Sequence, residues 1–443
     1  MNERDSEIIE QILARAGYLR VTDMHDADLV LLNTCSIRAK AEQKVFSLLG
    51  LLRKQKDMNK SLRIAVAGCV AQQEGEQIFR RMPHVDIVVG TQQIYQLPDM
   101  LSHLESGQSK RVCACTLDTS FTIPPFQEFL RTKHKNGRSL SPSPASQQVS
   151  KFVTIMQGCN NFCSYCVVPA TRGREISRPV VDILEEVNLL VESGVKEITL
   201  LGQNVNSYGC TNPVAEKTTG FADLLRMVSA ISGVKRLRFT SSNPQDLSPA
   251  LMQCFAELDN LCHHFHLPVQ SGSNAVLKKM HRKYTRELYL EKVAALRKAC
   301  PDIALSTDII VGFPGETEKD FEDTMNLLDT VRFHGSFSFK YSDRPHTRSV
   351  DFPDKVDEKI KSLRLQRFQQ RQDEISFECN KDLLGKTVDV MVEKIKKSSV
   401  QGRTGSNHIV HFVPGRPCLP GDRVQITISH AGNHSLQGEC HTH

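Results

Sequence analysis

Three cysteines in the run GCNNFCSYC, namely Cys159, Cys163 and Cys166, have the residue type and spacing best suited to chemistry in this chain. Three thiolates can hold three corners of a [4Fe-4S] cube and leave the fourth iron without a protein ligand. An iron with a free position can bind and activate a small molecule. A structural zinc site is the competing reading, but such sites usually take four protein ligands, commonly two Cys-x-x-Cys pairs or a Cys pair with a His pair. The next cysteine, Cys210, stands alone far downstream. A disulfide framework fits less well, because 443 residues are ample for a hydrophobic core and the 14 cysteines are scattered.

Residues 1 to 106 alternate between helical and strand-like runs: DSEIIEQILARAGY, ADLVLLNTC, AEQKVFSLLGLLRKQ, LRIAVAGCV and VDIVVG. This alternation predicts an open parallel sheet. Cys35 and Cys69 each fall where a strand ends and its connection begins, the edge at which open α/β sheets bind ligands. Both are therefore candidate metal ligands, with a buried inert thiol as the alternative. The stretch RTKHKNGRSLSPSPASQQVS lacks apolar periodicity and is rich in Ser, Pro and basic residues, so 107–144 is expected to be a linker.

From residue 145 to 376, six strand-like runs recur with helical stretches between them: KFVTIMQG, KEITLLGQN, KRLRFTSS, HHFHLPVQ, IALSTDIIVGF and GSFSFKYS. Six βα units predict a partial parallel barrel with its active site at the carboxyl ends of the strands. The three-cysteine run follows the first strand. Polar or glycine-rich turns follow others: Gln203 and Asn204, Ser241 to Asn243, Gln270 to Ser273, and Gly312 to Glu316. Each alone reads as an ordinary turn, but they share one face of the expected barrel. Residues 379–441 read as short strands with Gly/Pro turns, a small β-barrel that either binds nucleic acid or caps the larger domain.

At 40% hydrophobic and 24% charged, the composition is that of a soluble globular protein. No apolar run approaches the ~20 residues needed to span a bilayer, and the opening MNERDSE does not resemble a signal peptide. A cytoplasmic protein is expected, with its cysteines as thiols or metal ligands. A net charge of +6 permits a polyanionic partner without requiring one.

The stretches NTCSIRAKAEQKV, GCVAQQEGE, QGCNNFCSYCVVPATRGREISRP, LLGQNVNSYG, HLPVQSGSNAVLKKMHRKYTRE and STDIIVGFPGETEKDF run along almost the whole chain. Together they resemble the methylthiotransferases of the radical S-adenosylmethionine (AdoMet) superfamily. The NTCSIR form of the first motif is similar to the tRNA-directed branch, and the closing barrel is similar to a TRAM module. The resemblance implies that Cys159, Cys163 and Cys166 hold a [4Fe-4S] cluster whose open iron chelates AdoMet, with Tyr165 beside the adenine. Gln203, Asn204, Gly312, Phe313, Pro314, Gly315 and Glu316 would shape the AdoMet pocket. Cys35 and Cys69 would hold a second, auxiliary [4Fe-4S] cluster. One AdoMet would methylate a sulfur on that cluster, and another would give the radical that removes hydrogen from C2 of isopentenylated adenosine 37 in the tRNA anticodon loop. The implied partners are tRNA and an electron donor such as a flavodoxin or ferredoxin, with no membrane, and the protein is expected to be a monomer. Arg172, Arg174 and Arg178 are read as contacts for phosphate or the AdoMet carboxylate, or as ordinary surface residues.

The family carries a third auxiliary cysteine two residues ahead of a Met-Asn pair, and this chain begins with Met1 and Asn2. A sheet domain of this type is also expected to open with a strand, whereas here a helix capped by Asp5 or Ser6 is expected at once. The reading therefore expects a missing upstream segment and, for the chain as written, weak or no sulfur insertion. Cys113 or Cys115 is the possible substitute ligand. Ala170 stands where many relatives carry a bulkier residue. Three alternatives stay open: action on threonylcarbamoyl-adenosine tRNA, action on a ribosomal-protein aspartate, and an iron–sulfur RNA-binding protein without turnover.

Overall fold

The computed structural model describes residues 1–36, 39–126, 148–210, 219–396 and 399–440. Residues 127–144 of the expected linker, and Ile37 and Arg38 of the NTCSIR motif, lie outside these residues. The chain divides into two compact units, Met1–Pro142 with Gln157–Asn160 and Val167–Arg178, and Ser143–Met156 with Asn161–Cys166 and Pro179–His443.

In the first unit, helix α1 (Asn2–Arg15) leads to strand β1 (Leu29–Thr34), α2 (Ala39–Met58), β2 (Arg63–Gly68), α3 (Cys69–Glu74), α4 (Gln77–Arg81), β3 (Ile87–Val89), α5 (Leu97–Glu105) and β4 (Val112–Ala114). The strands form one parallel sheet in the order β1-β2-β3-β4. Its faces follow from strand alternation. Ala65, Ala67, Ile87 and Val89 pack with Ile8, Ile9 and Ile12 of α1 and with Leu97, Leu101 and Leu104 of α5. Ile64, Val66 and Val88 pack with Phe46, Leu49 and Leu52 of α2. Both faces are covered, as a parallel sheet requires. Strand β4 lies within the stretch expected to be linker. Its three residues are too short for a period-2 signal, and only pairing with β3 reveals it. The start of α1 also differs from expectation. Met1, not Asp5 or Ser6, is its N-cap residue, because the Asp5 carboxylate is bound elsewhere and cannot cap. Helix α6 (Val168–Arg172) belongs to this unit and packs on α3.

The second unit is a six-stranded partial parallel barrel followed by a small closed barrel. Strand β5 (Ser150–Thr154) comes first. Two-residue strands β6 (Met156–Gln157) and β7 (Ile176–Ser177), the second of them in the first unit, flank the cysteine run in sequence. Then follow α7 (Val180–Glu192), β8 (Glu197–Leu201), α8 (Phe221–Ser229), β9 (Arg236–Phe239), α9 (Pro249–Glu257), β10 (His264–His266), α10 (Asn274–Lys279), α11 (Arg286–Ala299), β11 (Ala304–Val311), α12 (Glu318–Val331) and β12 (Gly335–Lys340). The strands run β5-β8-β9 and β10-β11-β12, and a parallel bridge from Leu237 to Leu261 links the two sets.

Register sorts the barrel residues into two faces. Val153, Ile198, Leu200, Leu237, Phe239, Phe265 and Leu305 pack in one large core with the surrounding helices. The alternate residues share the other face: Thr199 aligns with Arg238, His266 with Ser306, and Asp308 with Phe337. The apolar face drives folding, at about 2–3 kcal/mol for each large side chain fully buried. The polar face carries the charged and hydroxyl side chains, part of which meet the closing barrel.

Helix α13 (Glu358–Lys381) then leads to β13 (Thr387–Lys396), β14 (Ser399–Thr404), β15 (Ile409–Val413), β16 (Arg423–Ala431) and β17 (Leu436–Cys440), which close in the order β13-β14-β15-β17-β16. Two arginines of β9 dock this barrel. Arg236 donates to the Arg403 and Asp389 carbonyls and to the Asp389 carboxylate. Arg238 donates to Thr404 O at 2.7 Å and Gly405 O at 3.1 Å, and pairs with Glu197 at 3.1 Å. The α/β architecture matches the expectation in all three parts.

Candidate functional site

The cysteine loop is pinned from Cys163 onward. Cys166 N donates to Cys163 O at 3.0 Å, and Ser164, which is 1% exposed, donates from its hydroxyl to Lys279 O at 2.8 Å and from its amide to Met280 O at 3.0 Å. Residues 163 to 166 are thereby fixed to the end of α10. Tyr165 packs edge-on to Phe313, ring centroids 6.4 Å apart, within a cluster that includes Met280, Ile310, Tyr341 and Phe352. Arg282 donates from Nη1 to Cys163 Sγ at 3.4 Å. In the first unit, Cys159 N donates to Gly173 O at 3.3 Å. Gly158 has φ +80°, and a Cβ there would collide with the backbone of Gly173 and Arg174, so the turn before Cys159 requires glycine.

The turn after β11 is built around one carboxylate. Glu316 Oε1 accepts from Gly312 N and from Arg364 Nη1, each at 2.8 Å, and its side chain is 1% exposed. Burial pushes Glu316 up to about 7 despite those donors. Phe313 is fully buried. Gly312 has φ +69° and Gly315 φ +73°, conformations that favour glycine. Gly315 N donates to Asp354 O at 2.8 Å, and Lys279 Nζ donates to Gly315 O at 3.2 Å.

After β8, Asn204 is 2% exposed and donates from Nδ2 to Asp246 Oδ2 at 2.7 Å. Gln203 is partly exposed beside it. Asn204 Oδ1 and Ser242 Oγ, at the ends of β8 and β9, are buried with no partner among the described residues. Ser241 and Gln270, at the ends of β9 and β10, have φ of +72° and +74°. Unpartnered buried polar atoms and strained backbone both mark sites completed by a ligand. The strand-end residues thus suit a polar ligand such as AdoMet, and the thiols of the loop suit iron.

Cys35 and Cys69 leave the ends of adjacent strands, where Thr34 is in register with Gly68. Gly68 has φ +90°, and a Cβ there would lie 2.5 Å from Thr34 O. The tight turn it permits starts α3 at Cys69. Arg172, 4% exposed, pairs with Asp5 at 2.5 Å and has Cys69 as an electrostatic neighbour. Arg178 is also buried, at 3%, while Arg174 is exposed. Arg172 and Arg178 are therefore not surface residues, and Arg172 has Asp5 and Cys69 as partners within its unit. Cys113 and Cys115 sit at the β4 edge, their sulfurs 3.9 Å apart, and Cys115 is bonded to Ala71 O. Burial pushes Cys115 up to about 12. Sequence reasoning left Arg282 and Ser164 without roles, although both lie inside the quoted motifs. It also mistook Asp5 for a cap, because the partner of Asp5 lies far along the chain.

Residues 153–328 match the Radical SAM superfamily, 1–90 the Uncharacterized protein family UPF0004, and 381–440 the TRAM domain. The chain has a fold similar to that of the radical S-adenosylmethionine methyltransferase TsrM from Kitasatospora setae, with a TM-score of 0.50, 14% identity, and coverage of 76% of this chain and 65% of that one. It is 57% identical over 440 residues to the tRNA-2-methylthio-N(6)-dimethylallyladenosine synthase of Desulfotalea psychrophila, which spans 99% of this chain and 96% of the relative. The synthase of Syntrophus aciditrophicus is 46% identical over 99% of this chain and 92% of its own length. With its cysteine loop beside a partial barrel, its parallel-sheet domain and its closing β-barrel, the chain belongs to the tRNA-2-methylthio-N(6)-dimethylallyladenosine synthase family.

Proposed function

We infer that this protein methylthiolates C2 of N6-isopentenyladenosine at position 37 of tRNA, giving 2-methylthio-N6-(dimethylallyl)adenosine. The observation that carries the reading is the 57% identity over nearly the whole chain to a synthase of that name, with the cysteine loop intact. Cys159, Cys163 and Cys166 hold one [4Fe-4S] cluster with an open iron for AdoMet, and Cys35 and Cys69 contribute to an auxiliary [4Fe-4S] cluster. When bound, these groups supply reductive cleavage of a carbon–sulfur bond, a hydrogen-abstracting radical and the sulfur to be transferred.

The chain's own residues position and exclude. Ser164 and the end of α10 keep the loop in one conformation. Asn204 Oδ1 and Ser242 Oγ offer acceptors to the bound AdoMet, and Glu316 holds the Gly312 amide in place. Tyr165 lies beside the adenine. Residues 1–106 form the auxiliary-cluster domain, 145–376 the AdoMet core and 379–441 the TRAM barrel. The target base must leave the stack of the anticodon loop, which costs less in a single strand than in a duplex. A flavodoxin or ferredoxin supplies the electron to a cytoplasmic monomer.

The test is anaerobic reconstitution followed by single-turnover reaction with isopentenylated tRNA, read by mass spectrometry of the nucleosides. The expected result is 5'-deoxyadenosine formation, with an adenosine gaining the methylthio mass to the extent that the auxiliary cluster is complete. Cys163→Ala should lose 5'-deoxyadenosine formation altogether, whereas Cys69→Ala should keep it and lose the methylthio product. Conversion of threonylcarbamoyl-adenosine tRNA instead, or no 5'-deoxyadenosine from the unaltered chain, would overturn the reading.

A further inference from the structure

Cys163 has a cation against its sulfur. Besides the 3.4 Å bond from Nη1, the Arg282 guanidinium donates from Nε to the Tyr284 hydroxyl at 2.8 Å and from Nη2 to the Pro268 carbonyl at 3.0 Å. Tyr284 is itself anchored, its hydroxyl donating to Val269 O at 2.9 Å. Three bonds in three directions therefore fix the guanidinium plane, leaving little freedom to swing away. No carboxylate pairs with Arg282 among the described residues. Its bonds go to a thiol, a phenol and a carbonyl, and the groups acting on its charge are Tyr284, Tyr165 and Cys163. Arg172 is the contrast, because it also acts on a cysteine but spends its charge on Asp5 at 2.5 Å.

A partly enclosed guanidinium held without a carboxylate is costly unless an anion faces it. What faces Arg282 is the sulfur of Cys163, which carries negative charge once it ligates iron. We propose that Arg282 is a positioning residue that raises the reduction potential of the cluster held by Cys159, Cys163 and Cys166. It does so by keeping a positive charge and an N–H donor on one ligand sulfur. This rests on the reading of those three cysteines as the cluster ligands. One-electron reduction adds a negative charge to the cluster, and a fixed cation with a hydrogen bond to sulfur stabilises the more negative state. The electron from the external donor is then easier to accept. Lysine would keep the charge without the forked bonding, and glutamine would keep bulk and a donor without the charge.

The experiment uses the full chain carrying Cys35→Ala and Cys69→Ala, so that a single cluster contributes to the spectrum. Iron content of this parent comes first. About four iron atoms per chain are expected, and a parent that binds none overturns the ligand assignment and the proposal together. The midpoint is then measured by redox titration followed by electron paramagnetic resonance, with and without AdoMet. Arg282→Gln should hold its iron and show about tenfold less reduced cluster at a fixed potential, a shift of ~59 mV to the negative for one electron. Arg282→Lys should recover at least half of that shift. An unchanged midpoint in Arg282→Gln, a lysine variant no better than glutamine, or an effect seen only with AdoMet present would each overturn the proposal while leaving the ligand assignment standing. If Arg282→Gln loses its iron, Arg282→Lys decides. Full iron with a midpoint near the parent's supports the charge, and loss of iron there as well makes Arg282 a structural brace and overturns the proposal.

Discussion

Arg172 and Asp5 are a buried pair whose side chains are 5% and 10% exposed. Removing one charge from such a pair leaves the other without compensation, at a cost of about 3–5 kcal/mol. Arg172→Ala should therefore lower the unfolding free energy from urea titration by that amount, and a loss below about 1 kcal/mol would show that Asp5 finds another partner. The charge of the same arginine acts on Cys69, so the variant should also alter the absorption of any cluster held there. Neither Arg172 nor Asp5 advertised this pairing. A sequence shows an arginine after the cysteine loop and an aspartate early in a helix. Only folding of the first unit places α6 on α3 and brings one charge against the other.

The turn between β11 and α12 shows an element held by its own end. Thr317 and Asp320 form a capping box that starts α12, worth about 1 kcal/mol. Just before it, Glu316 ties the Gly312 amide to Arg364 of α13. Glu316→Ala would leave Arg364 with the exposed Glu318 as its remaining carboxylate partner, so a stability loss of about 3 kcal/mol is expected. Glu316→Gln, whose carbonyl still accepts from Gly312 N, should cost less and bind AdoMet more nearly like the unaltered protein. Equal losses in the two variants, measured by urea unfolding and AdoMet titration, would mean that the charge rather than the acceptor orders the turn. The pattern FPGETEKDF already signalled a turn followed by a capped helix. The partner on α13 could not be read, because nothing local in the sequence ties residue 316 to residue 364.

Across the second unit, three largely buried histidines make the stability of the barrel and its closing domain pH-dependent. His334 of the β12 entry packs against His408 of the small barrel, ring centroids 5.7 Å apart, and His264 lies on the barrel's polar face. Burial pushes His264 down to about 3 and His334 and His408 to about 4, although each keeps part of its surface exposed. The unfolded chain takes up these protons near the ordinary value of 6.5, so it binds more protons than the folded state below that pH. Stability from this source is complete above pH 6.5 and is lost as the pH falls toward 4, by at most about 1.4 kcal/mol per pH unit for each ring. Urea unfolding between pH 7 and 5 should show this decline, and His408→Gln should reduce its slope by about one proton. A flat profile would mean that the rings are already charged in the folded state.

Sequence by itself determined the three-cysteine loop, the order of strands and helices, the α/β class and the strand-end turns, because ligand spacing, hydrophobic period and turn residues are local properties of the chain. Tertiary structure alone decided that Arg282 faces Cys163, that Arg172 pairs with Asp5, that Val112–Ala114 is an edge strand, and that Arg236 and Arg238 dock the closing barrel. Each of these depends on groups distant in sequence. What fixes them is which partner satisfies a buried charge or an open strand edge once the cores have packed.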